Sequence, residues 1–160
     1  MRCVVQKVTN ARVTVEGEIT GEITNGYMVL VGAEDGDVEA DVNYCAEKIS
    51  GLRVFEDQDD KMNLSLKDVN GSVLMVSQFT LLGDARHGRR PSFIRAARPE
   101  VAEPLFEMLC KKIADKGIHV ETGRFRTHME VSLVNDGPVT ILLDSKRASD
   151  SVNIEVLYEI

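Results

Sequence analysis

The chain has 160 residues, 43% of them apolar and 28% charged, with a net charge of −7, which is enough for one domain to bury a core without a disulfide or metal framework. No tract is low in complexity, and the acidic balance argues against a generally basic nucleic-acid binder. The N-terminal stretch alternates and carries charge, unlike a signal peptide, and no apolar run reaches membrane-spanning length, so a soluble, cytoplasmic protein with no membrane or DNA partner is expected. Cys3, Cys45 and Cys110 are odd in number and widely spaced, with no CxxC pair, as suits reduced core thiols.

In chain order, residues 2–8 and 11–16 alternate as two strands, and Asn25–Gly26 marks a turn before the apolar run 27–31. A helix follows, with Val38, Val42, Cys45 and Ile49 on one face, acidic residues in its first turn and Gly51 as its stop. Residues 52–55 form a short strand, 56–71 an exposed acidic excursion, and 72–76 a buried strand. A second helix is expected over about 100–116, with Val101, Leu105, Leu109 and Ile113 in a stripe; Pro104 implies that it either starts near Glu103 or bends there. Residues 118–121, 128–134 and 139–144 read as the last strands.

Strands bracketing two helices predict an α/β fold: a mixed, largely antiparallel sheet curled into two layers, with both helices on one outer face. One domain is expected over residues 1–146. The tail, 147–160, offers a possible extra edge strand at 152–160.

Familiar catalytic sets are missing. His87, His119 and His128 have no metal-binding spacing, and there is neither a GxSxG elbow nor a glycine-rich phosphate loop, so no metal or organic cofactor is expected. The stretch SQFT, Ser77 to Thr80, follows a strand, and alternation puts Gln78 and Thr80 on one face, where an amide and a hydroxyl can orient a carbonyl or a water. The plainer alternative is that these groups only satisfy backbone at a strand end.

Arg86, Arg89, Arg90, Arg95 and Arg98 crowd a loop without acidic residues, either a phosphate footprint or a solvated loop paired to carboxylates elsewhere. Gly137–Pro138 interrupts two strand-like runs. Because only about 5% of X–Pro bonds are cis, an ordinary turn is the simplest reading of that pair alone.

The motifs SQFTL (77–81), RRPSF (89–93) and VSLVNDGPVT (131–140), in that order, together with QKVTNARVTV at the start, resemble the D-aminoacyl-tRNA deacylases over residues 1–146. The resemblance implies a homodimer that hydrolyses the ester of D-aminoacyl-tRNA to free D-amino acid and tRNA. It places Ser77, Gln78, Phe79 and Thr80 around the ester, with backbone N–H groups near Phe79 and Thr80 receiving the oxyanion.

It further implies that Gly137–Pro138 is cis and enters the partner subunit's site as a main-chain wall that excludes L-enantiomers, leaving achiral glycine on mischarged tRNA as a leak. Phe125 and Met129 match positions lining an adenosine pocket, although as apolar residues they also suit a core. Arg86, Arg89 and Arg90 would meet tRNA phosphates.

Two departures stand out. Lys7 replaces an arginine common in relatives and lacks its planar fork for bracing the Gly-Pro loop; where relatives commonly have a small Gly-Ala after the phenylalanine, this chain has Arg126, Thr127 and His128, which would either add a phosphate contact or alter the pocket rim. Two rival functions stay open on sequence: a dimeric RNA-binding module without catalysis, and a small-molecule esterase with Thr80 as nucleophile.

Overall fold

The computed structural model describes residues 1–148. The tail strand expected at 152–160 lies outside them.

β1 (Arg2–Val15) is the organising strand. From Arg2 to Thr14 it pairs antiparallel with β8 (Glu130–Asp144), with two irregularities in the ladder. Its other edge is shared: Arg2 to Val8 pair with β3 (Gly26–Gly32), and Ala11 to Val15 with β2 (Glu18–Ile23). Asn25–Gly26 is therefore a jog between two strands that continue each other along β1, where the sequence suggested a separate turn.

The two N-terminal strands expected at 2–8 and 11–16 are this one strand. A bulge between Val8 and Asn10 flips the alternation, so Cys3 and Val5 face the helices while Ala11, Val13 and Val15 face the opposite way.

Parallel strands β6 (Ser72–Ser77) and β7 (His119–Thr122) extend the sheet from β3. β7 returns against β2, curling the sheet almost into a barrel. Met28, Leu74 and Val76 fill its inside with Val8, Val13 and Ile23. The alternate residues Tyr27, Val29, Val31, Val73 and Met75 face outward, under helices α1 (Glu39–Gly51) and α2 (Pro99–Ala114). Period-two alternation on buried strands thus feeds two cores. The mixed curled sheet with both helices on one face is as expected.

The helical stripes need two corrections. Val38 is the N-cap of α1 and 58% exposed, and Val101 is 47% exposed in the first turn of α2, whose neighbours Pro99 and Ala102 border a pocket, Ala102 at the core's edge. Phe106 joins Leu105, Leu109 and Ile113 in their stead.

Pro104 does not delay the helix, which begins at Pro99. The backbone bond that proline forfeits would have gone to the exposed Glu100, whose carbonyl water can reach. The strand at 52–55 shrinks to β4 (Phe55–Glu56), paired with β5 (Met62–Leu64) inside the acidic excursion, where Leu66 is fully buried. The break expected at Gly137–Pro138 lies within the single strand β8: Asn135 still pairs with Val8 and Thr140 with Gln6, so residues 136–139 loop out of the ladder opposite Lys7.

Candidate active site

The apolar strand β6 ends at Ser77, and Gln78 caps a 3-10 turn over Phe79–Leu82. Gln78 and Thr80 do meet, with Gln78 Nε2 donating to Thr80 Oγ1 at 2.9 Å, but across this turn and not along a strand face as expected. The N–H groups of Phe79 and Thr80 open the turn, where no intrahelical acceptor exists, and they have no partner among the described residues.

Two contacts seat the turn. Arg2 Nη1 donates to the Leu81 carbonyl at 3.1 Å. Gly32 lies directly beneath: a β-carbon there would fall 3.0 Å from the Gln78 carbonyl oxygen and 2.6 Å from Leu82 Cδ2.

Ser77, Gln78, Phe79 and Thr80 line a cavity of about 610 Å³ whose other walls include Phe93, Ala97, Phe125 and Met129. Phe93 sets its ring edge against Phe79 at 5.2 Å between centroids. Phe125 is half-buried, 6.3 Å from Phe106 of the helical core, and so belongs to both core edge and pocket. The fold therefore gathers the SQFT stretch and the two apolar residues, which lie far apart in sequence. Thr80 touches no histidine or carboxylate among the described residues; its hydroxyl accepts an amide N–H and keeps its own proton to donate.

Gly137 and Pro138 are exposed and do not line this cavity; their peptide bond is cis. The loop carrying them is tied at its base. Asn135 holds both backbone groups of Val139: its Oδ1 accepts from Val139 N at 3.0 Å, and its Nδ2 donates to the Val139 carbonyl at 3.1 Å. Gly137 has φ +125°, and a β-carbon there would meet Val139 Cγ2 at 2.8 Å, so glycine alone suits the position.

Lys7, only 3% exposed, sits opposite the loop with Nζ 2.7 Å from Glu56 and 3.7 Å from Asp136, over the Phe55 ring. Its ammonium hydrogen bond holds the Glu56 carboxyl below its ordinary value. Lysine thus braces the loop through Asp136, the residue before Gly137. Nothing local in the sequence announced Asn135, Gly32 or Arg2.

The arginine-rich loop divides. Arg86 is forked onto Asp84 at 2.9 and 2.7 Å, which holds that carboxyl down at about 2. Arg95 pairs with Glu34 at 2.5 Å. Arg89 and Arg90 are exposed and make no ion pair among the described residues, on a loop closed by the Asp84–Ser92 bridge.

The sequence model of the D-Tyr-tRNA(Tyr) deacylase family matches residues 4–144, and that span contains both the pocket and the Gly-Pro loop. The chain belongs to this family of ester-bond hydrolases. It is 60% identical over 147 residues to the D-aminoacyl-tRNA deacylase of Symbiobacterium thermophilum, covering 92% of this chain and 97% of that one. It is 62% identical over 146 residues to that of Bacillus pumilus, covering 91% and 99%.

Among solved structures, the c-Myc DNA unwinding element binding protein superposes with a TM-score of 0.84 at 37% identity, covering 90% of this chain and 98% of that one. A probable eukaryotic D-amino acid tRNA deacylase superposes at 0.76 with 16% identity, over 89% and 98%, and shares the fold. No helix among the described residues is long and apolar enough to cross a membrane.

Proposed function

We propose that the protein hydrolyses the ester joining a D-amino acid to the terminal adenosine of tRNA, in the cytoplasm and as a homodimer, releasing the free D-amino acid. The observation that carries this reading is the pair of N–H groups at Phe79 and Thr80, unpartnered among the described residues, on two residues that line an apolar cavity beside the Gln78–Thr80 hydrogen bond. Donors held in place by the turn need no reorganisation as charge builds on the ester oxygen. Phe125 and Met129 offer a flat purine its apolar walls, and Gln78 orients the aminoacyl group.

Thr80 lacks a base to make it a nucleophile, so water attacks with help from the 2′-hydroxyl of the terminal ribose. Gly137 and Pro138, exposed on a clamped loop, enter the cavity of a second copy and form a wall of main chain. Inverting the α-carbon swaps its hydrogen for the side chain, so an L-residue collides with that wall and a D-residue does not. Proline's fixed φ and the Asn135 clamp keep the wall from yielding. Glycine has nothing to collide, so mischarged Gly-tRNA is also cleaved. Arg89 and Arg90 are free to meet tRNA phosphates, whereas Arg86, already forked onto Asp84, has least to offer them.

The test is to incubate the purified protein with D-Tyr-tRNA and L-Tyr-tRNA in parallel and follow ester loss. Rapid loss of the D form alone is expected. Equal rates, or none on the D form, would overturn the reading.

A further inference from the structure

Apart from Phe125, the turn at residues 124–128 has no part in the proposed hydrolysis. Thr127 Oγ1 donates to the Arg124 carbonyl at 2.7 Å and closes it. Arg126 stands at its apex with φ +57°, in the left-handed region that long side chains rarely adopt. The other described non-glycine residues with positive φ are Glu16, Asp60 and Asn70, and none of them lines the cavity around Gln78 and Thr80.

Arg126 does line it, and it is the one charged residue among the described lining residues. It is exposed and makes no hydrogen bond or ion pair among the described residues. Its neighbours Arg124 and His128 turn into the adjoining cleft, where Glu16 and Glu130 also face. An apolar pocket with a single uncommitted guanidinium suits a ligand that is flat and uncharged within, with one anionic group near the guanidinium.

The geometry points to Arg126 as a substrate-positioning residue that grips the phosphate on the 5′ side of the terminal nucleoside. This rests on the deacylase reading, which supplies that ligand. A guanidinium fork takes two phosphate oxygens at once and so fixes the register of the nucleoside in the pocket. The inference concerns binding of the RNA end, not the chemical step, so KM and salt dependence carry the effect and kcat does not.

The experiment compares wild type, Arg126→Gln and Arg126→Lys on D-Tyr-tRNA across a salt series, and on D-tyrosyl-adenosine, which has no phosphate. Glutamine keeps the side-chain bulk and the backbone demand while removing the charge. Arg126→Gln should raise KM for D-Tyr-tRNA about tenfold with kcat unchanged, and flatten the slope of log kcat/KM against log salt by about 0.7, the value of one single-strand phosphate contact. Arg126→Lys should restore most of the salt slope, and all three proteins should treat D-tyrosyl-adenosine alike.

An active wild type with an unchanged salt slope in Arg126→Gln would overturn this inference alone, as would an equal loss on both substrates. A wild type inert toward D-Tyr-tRNA would overturn the deacylase reading with it. Arg126→Gly, which relieves the backbone, guards against misfolding: it should show the same flattened slope with thermal stability at or above that of wild type.

Discussion

Two stretches of this molecule leave their strands in opposite ways. After β6 the chain folds into a 3-10 turn whose first N–H groups find no acceptor, whereas within β8 it loops out and has its backbone groups claimed by Asn135. The first arrangement leaves two backbone donors without a partner among the described residues; the second ties down the base of its loop through Val139, and the proposed function gives the first to chemistry and the second to exclusion. Chemistry needs unsatisfied groups that are held still, and exclusion needs satisfied groups that cannot move.

The contrast breaks most sharply at Gly137. Gly137→Ala places a methyl against Val139 on a backbone with φ +125°, so the loop must shift, and kcat/KM on D-Tyr-tRNA should fall about 100-fold. Unaltered kinetics would mean that the loop is remote from catalysis. Asn135→Ala should be milder: it removes two hydrogen bonds, lowering stability by about 1–2 kcal/mol in a urea melt. The loosened wall should also narrow the ratio of D to L rates.

On the other side of the comparison, Thr80→Ala deletes an orienting hydroxyl and leaves the backbone donors in place. A loss of tenfold or less in single-turnover rate, about the worth of one hydrogen bond, is expected. Abolition would make Thr80 the nucleophile.

The smallest effect concerns Lys7. The folded-state pKa of Glu56 is lowered chiefly by the Lys7 hydrogen bond, so its contribution to stability is present above the ordinary value of 4.5 and is lost as pH falls through the lowered one. Lys7→Met should flatten that acid loss. A carboxyl titration by NMR should then show the Glu56 midpoint moving up toward 4.5; an unmoved midpoint would deny the pair.

Much of this could be read in advance, and the misses have physical causes. Val42, Cys45, Ile49, Leu105, Leu109 and Ile113 announce their burial through helical spacing, because each lies where its helix rests on the sheet. Val38 and Val101 share the spacing but sit at helix starts, beyond the surface beneath. β1 looked like two strands because its bulge reverses the phase of alternation, which a period-two pattern reports as an ending.

In the site, the neighbourhood of Gln78 and Thr80 was legible from two residue types at close spacing, although the geometry joining them was not. Asn135 was hidden in a motif that reads as an ordinary turn. Arg2 acts on Leu81 from 79 residues away in the chain, and a contact between residues so far apart in sequence has no local signature.

Gly32 carries a consequence of its own. The 3-10 turn rests on bare main chain at the end of β3, so the floor of the cavity stands at a height set by a hydrogen atom where other residues carry carbon. Any side chain there would act as a shim under Gln78 and Leu82, displacing the turn that carries Phe79 and Thr80 without altering any of the groups to which the proposed function assigns the ester.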